Sequence, residues 1–225
     1  TDVKIWQVHT LLKGLEKIKS SADIPMIVAG DFNSTPGSAV HSLLVRGEVP
    51  SGLISSVNDP FNVLKDLQLK HELQLSSAAA AIDHASSKVD SRATRQRLRI
   101  DPKHKEPLFT NLGRDFKGTL DYIFYTHKCV IPTAILELPV ESELQHPLVS
   151  NGGGFSSSNN LSSMANGSSM SSNNLSSNNL TNGLGGSYVG GDLELPNALC
   201  PSDHIALMSE FVYVPTPLPQ NAGGR

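Results

Sequence analysis

From Asn151 to Gly191 the chain carries 41 residues of which 30 are serine, asparagine or glycine, and none is charged. Such a segment buries too little apolar surface to offset the entropy of ordering it, so it is expected to be a disordered loop. Any core must be assembled from the sequence on either side of it. The expected layout is one domain over residues 1–213, interrupted by the insert at 151–191, and a flexible tail at 214–225. A hydrophobic fraction of 38% over 225 residues fits a chain with a sizeable part outside any core. The net charge of −3 excludes a uniformly basic, DNA-coating surface. Two cysteines, Cys129 and Cys200, are too few for a disulfide scaffold or a cysteine-rich zinc site. No apolar run approaches a membrane span and the opening residues lack a secretory pattern, which together predict a soluble, intracellular protein with no membrane partner.

Outside the insert, hydrophobic periodicity marks the elements. Val3, Trp6, Val8, Leu11, Leu12, Leu15 and Ile18 recur at helical steps, and Asp2 can cap their start. The compact run Met26-Ile27-Val28-Ala29 ends at Gly30 and reads as a buried, central strand. A short helix is expected over Ser38–Val45, ended by Gly47 and Pro50, and another around Leu64–Leu73. Strand-type segments follow at Leu108–Asn111, Thr119–Thr126, Val130–Leu138 and His204–Val214. These strands lack regular alternation with helices, so an α+β layered sheet with flanking helices fits better than a doubly wound one. Between Lys88 and Lys105, seven basic residues (Lys88, Arg92, Arg95, Arg97, Arg99, Lys103, Lys105) face two acids, Asp90 and Asp101. That run is either a solvated loop or a surface for a nucleic-acid backbone.

Three strings place acid, amide and imidazole groups at strand ends: GDFNSTP at Gly30–Pro36, TLDYIFY at Thr119–Tyr125 and PSDHIAL at Pro201–Leu207. In the first, Asp31 and Asn33 share a face if the chain stays extended, with Phe32 turned to the core; the same residues also suit a simple turn. In the second, Asp121 sits among apolar strand neighbours and needs a cation or donor, unless the strand is an edge in water. In the third, Asp203 and His204 diverge to opposite sides of the pleat, so one can face a metal while the other meets a carboxylate; a structural histidine is the plainer alternative. Jointly they supply what phosphodiester hydrolysis requires: neutralisation of phosphate charge, a proton acceptor for the attacking water and stabilisation of the leaving oxygen. Hard oxygen donors without cysteine point to Mg²⁺ rather than Zn²⁺.

GDFNS, LDYIFY and SDH, in that order, resemble the endonuclease/exonuclease/phosphatase superfamily of Mg²⁺-dependent phosphodiesterases. EPLFTN…RDFKGTLDYIFYT resembles more narrowly its poly(A) deadenylases of the carbon catabolite repressor 4 type, catalytic subunits of the CCR4-NOT complex. The resemblance implies a DNase I-like, four-layer αββα sandwich, of which this chain is expected to be the C-terminal half. An earlier half would carry the principal metal glutamate, for which Glu16 is no substitute. It further implies that Asp31 handles the attacking water, that Asn33 donates to the phosphate, and that Asp121 orients His204, which contacts the phosphate. Asp203 would lie near the metal. Phe116 of the DFKG segment would stack on adenine, its alternative being a core position. The implied partners are poly(A) RNA and scaffold subunits of a deadenylase complex, in cytoplasm and nucleus. A related member acting on DNA or a phosphorylated small molecule, or a non-catalytic binding module, are the other readings.

Overall fold

The computed structural model describes residues 2–22, 24–84, 91–144, 195–197 and 200–215. The insert and most of the tail lie outside them, as do the expectations placed there. Helix α1 (Asp2–Ala22) follows the predicted periodicity, burying Ile5, Val8 and Leu12. Helix α2 (Ala39–Arg46) is bounded as expected: Ser38 accepts from the His41 N–H at its start, and Gly47 closes it in the left-handed conformation. A single helical turn, α3 (Ser51–Ile54), comes next.

The principal sheet is antiparallel with the order β1-β5-β2, formed by β1 (Ile27–Asp31), β2 (Leu75–Ser77) and β5 (Asp121–Thr126). Alternation along β5 assigns its two faces. Tyr122 and Phe124 enter the main core with Ile5, Leu12, Val40, Leu43 and Leu44, so α1 and α2 cover that side. Tyr125, on the opposite face, clusters with Ala78 and Val130 and meets Phe211, with ring centroids 5.4 Å apart. This second face is covered by the ribbon of β6 (Val130–Ile135) and β7 (Ser209–Tyr213), which joins chain from both sides of the insert. Two helices, a sheet and a second sheet are thus stacked, an α+β arrangement. A third pair, β3 (Asn111–Leu112) with β4 (Lys117–Gly118), forms a separate two-stranded ribbon.

Three expectations are corrected. The run Met26–Ala29 is not a central strand: among the described residues β1 pairs only with β5, and Ile27 is 53% exposed. A continuous apolar run signals two buried faces, yet here Val28 packs on the core while the reverse face is open. No helix forms around Leu64–Leu73. Asp59 accepts from the Val63 and Leu64 N–H groups to hold a turn, and Leu64, Leu69 and Leu73 reach the core from irregular backbone tied by the His71 ring to the Leu43 carbonyl. The basic run is not a plain solvated loop either, since it contains helix α4 (Ser91–Arg97). Arg95 and Arg99 face Glu137, Arg99 also faces Glu143, and Lys105 pairs with Asp83. Those cations are partly neutralised by the protein's own carboxylates, which weakens the run as a continuous backbone-binding surface.

Beneath the loop after β1 lies a buried polar network. Gly37 N–H donates to His41 Nδ1 at 3.2 Å, so Nε2 carries the ring proton and donates to Glu106, also at 3.2 Å. Ser77 Oγ donates to the other Glu106 oxygen at 2.8 Å. Burial pushes the Glu106 carboxyl above the usual range, and these two donors offset part of that cost. Gly37 has φ of +81° and lies against the His104 ring; a Cβ there would sit 2.6 Å from Cε1. Only glycine fits that approach.

Candidate functional site

The antiparallel register of β1 and β5 sets Asp31 directly opposite Asp121. Asp121 is therefore the first residue of a central strand, not a mid-strand carboxylate and not an edge residue in water. Its charge is met from two directions. Thr110 Oγ1 donates to Asp121 Oδ2 at 2.7 Å and is itself fixed by the Leu120 and Asp121 N–H groups, both at 3.0 Å. His204 Nδ1 approaches the same oxygen at 2.8 Å.

His204 reaches this point through a lone bridge to Asn111, with Ile205 N–H donating to the Thr110 carbonyl at 2.7 Å and Leu112 N–H to the Asp203 carbonyl at 2.8 Å. The extended pairing makes neighbouring side chains diverge, as expected from sequence. His204 turns to Asp121, while Asp203 accepts from Asn111 Nδ2 at 3.0 Å. Asp203 is thus outside the group formed by Asp31, Asp121 and His204.

The first string folds as a turn without losing its chemistry. Asn33 has φ of +47°, and both its N–H and its side-chain amide donate to the Asp31 carboxylate, at 2.7 and 3.0 Å. Asp31 and Asn33 therefore face one another. Phe32 turns inward, edge-on to Phe124 at 5.7 Å, as its position predicted. Buried Tyr122 donates to the Ser34 carbonyl at 2.6 Å and pins the loop to the sheet. Burial raises the Tyr122 phenol, which stays protonated as a donor.

Asp31, Asp121 and His204 offer ligand atoms all within 4.8 Å of one another. The two carboxylates suit a hard divalent cation that keeps water in its remaining positions, with the His204 ring beside it. The hydrogen bond that His204 donates to Asp121 raises the His204 pKa above its ordinary value, with Asp203 and Asp31 adding smaller contributions. The sign follows: the bond stabilises the fold below the ordinary histidine pKa, and that contribution is lost as pH rises through the higher folded value. In metal-free protein, the His204 ring titrated by NMR should show a midpoint above 6.5 that falls in Asp121→Asn. An unchanged midpoint would remove Asp121 as the cause.

Beside these groups lies a cavity of about 530 Å³, lined by Lys4, Asn33, Ser34, Leu53, Phe116 and Leu120 among others. Its size suits a small organic ligand. Phe116 is 39% exposed, so it is not a core residue. Its ring lies over Gly118, where a Cβ would stand 2.8 Å from Cζ, so the absent side chain makes room for the ring. Lys4 donates to the Asn33 carbonyl. Sequence reasoning missed Lys4 and Thr110. Thr110 lay inside the quoted EPLFTN string, but a hydroxyl aimed at a residue eleven positions later leaves no spacing signal. Glu16 stands apart, paired with Lys13 and accepting from the Glu72 N–H.

The chain is 50% identical over 145 residues to the carbon catabolite repressor protein 4 homolog 1 of Arabidopsis thaliana, covering 64% of this chain and 24% of that one. It is 30% identical over 117 residues to the CCR4-Not complex 3′-5′-exoribonuclease subunit Ccr4 of Aspergillus terreus, covering 52% of this chain and 14% of that one. It therefore spans a quarter or less of these curated relatives' length. The solved structure of ANGEL2, a 2′,3′-cyclic phosphatase, in complex with adenosine-2′,3′-vanadate aligns over 64% of this chain and 45% of that one, at 24% identity and a TM-score of 0.40. The model of the endonuclease/exonuclease/phosphatase family matches residues 6–204, and with nearly the whole chain inside that match, from α1 to the histidine beside Asp121, the chain belongs to this family.

Proposed function

We propose that this chain is part of a Mg²⁺-dependent 3′-5′ exoribonuclease that shortens poly(A) tails by phosphodiester hydrolysis. The observation that carries the reading is the convergence of the hydrogen-bonded Asp121–His204 pair with Asp31, next to a cavity lined by Asn33 and Phe116. The exoribonuclease names of several relatives support the same class.

Asp31, held by two bonds from Asn33, accepts the proton of the water that attacks phosphorus. The Asn33 amide keeps a second hydrogen for a phosphate oxygen. His204, whose hold on its proton is strengthened by Asp121, donates from Nε2 to the charge that builds on the phosphoryl group. The bond from phosphorus to the 3′ oxygen of the preceding nucleotide breaks and that oxygen takes up a proton from solvent, leaving a new 3′ hydroxyl and a nucleoside 5′-monophosphate. A divalent cation held with Asp31 and Asp121 would supply charge neutralisation for the phosphate. Phe116 offers a stacking face for the terminal base. Scaffold subunits of a deadenylase complex are the proposed partners, and cytoplasm and nucleus the proposed compartments.

The full-length protein incubated with 5′-labelled RNA ending in adenosines should give a ladder descending in single-nucleotide steps. Internal cuts would move the reading to an endonuclease. Phosphate release from small molecules without RNA shortening would favour a phosphatase.

A further inference from the structure

A second cleft adjoins the nucleotide-sized cavity and shares its Leu53 wall, with Gly37 lining one and Ser38 the other. Arg46, at the end of α2, and Lys103 and His104, from the segment after α4, also line it. Arg46 and Lys103 are exposed, and neither enters an ion pair among the described residues. Among the described residues no carboxylate lines the cleft. His104 is seated against Gly37, and its ring meets that of His41 edge-on at 5.9 Å, so the floor beneath these cations is packed. Arg46 lies far from the basic run in sequence. The positive site is therefore built by folding, from one residue of that run and one outside it.

We infer that this cleft binds the phosphodiester backbone of the strand whose 3′ end occupies the neighbouring cavity. The inference rests on the RNA reading above and adds a subsite to it. Two cations without an ion pair among the described residues, beside a terminal-nucleotide cavity, match a single strand that continues past its last base, where backbone charge is recognised without regard to sequence. Cations paired with Glu137, Glu143 and Asp83 are less available for this role.

The test uses the full-length protein in EDTA, with fluorescence anisotropy on labelled oligoadenylates of about fifteen and about three nucleotides. Arg46→Ala with Lys103→Ala should weaken the longer RNA roughly tenfold at low salt, and the magnitude of its salt slope should fall by about 1.4, for two single-strand phosphate contacts. The ratio of long to short affinity should drop, and Arg46→Lys with Lys103→Arg should restore it. An unchanged ratio and slope, or an equal loss at both lengths, would overturn the subsite. If the wild type shortens adenosine-ended RNA while the ratio stays fixed, the subsite alone fails. If the wild type neither binds nor shortens RNA, the RNA reading fails and the subsite falls with it.

Discussion

Replacing His204 with alanine is expected to slow hydrolysis by about 10²–10³-fold, the range seen when a preorganised donor to developing charge is lost. Asp121→Asn should cost a similar factor, because Asp121 Oδ2 receives both His204 Nδ1 and Thr110 Oγ1. The informative quantity is the double variant. If the carboxylate acts through the imidazole, the two losses will not add, and His204→Ala with Asp121→Asn will be about as slow as either alone. Stopped or quenched single-turnover assays on full-length protein measure this directly. Two independent, multiplying losses would mean that Asp121 acts chiefly through the cation rather than through His204. Both side chains are partly exposed and neither lies in the main core, so thermal midpoints should move little.

Phe116→Ala is the second large effect. Stacking of a base on an aromatic ring contributes about 1–3 kcal/mol per base, enough for roughly five- to hundred-fold in affinity. The ring is free to do this because it stands over Gly118 and borders the cavity shared with Asn33. Removing it should raise KM for adenosine-ended RNA and flatten the preference over uridine- or cytidine-ended RNA, while Phe116→Tyr should keep most of both. A preserved preference in the alanine variant would place base selection elsewhere in the cavity. Gly118→Ala provides an independent check, since the added methyl would push the Phe116 ring aside without removing it.

The helices were legible where local chemistry alone decides them. The apolar steps of α1 and the Ser38 and Gly47 boundaries of α2 needed no distant partner. The segment around Leu64–Leu73 shows the limit: its leucines do enter the core, but Asp59 and His71 bind the backbone into turns that helical spacing does not reveal. Likewise Ile27 looks like core in sequence, and its exposure depends on which strands pair with β1. For the site, the residue types were readable and their meeting was not. Asp31 and Asp121 face each other through a strand register spanning ninety residues of chain, and His204 arrives across the insert by one bridge to Asn111. The sequence motifs named the participants. Thr110 and Lys4, which act by where the fold puts them, were invisible until the strands were paired.

The central claim is that Asp31, Asp121 and His204 form one phosphodiester-cleaving site. Its most direct test is single-turnover hydrolysis of 5′-labelled, adenosine-ended RNA by the full-length protein in Mg²⁺ and then in EDTA, with Asp31→Ala alongside. The account predicts stepwise shortening that stops in EDTA and falls by at least about a hundredfold in the variant while its melting profile is kept. Shortening that persists in EDTA, or an Asp31→Ala rate within twofold of wild type, would contradict it.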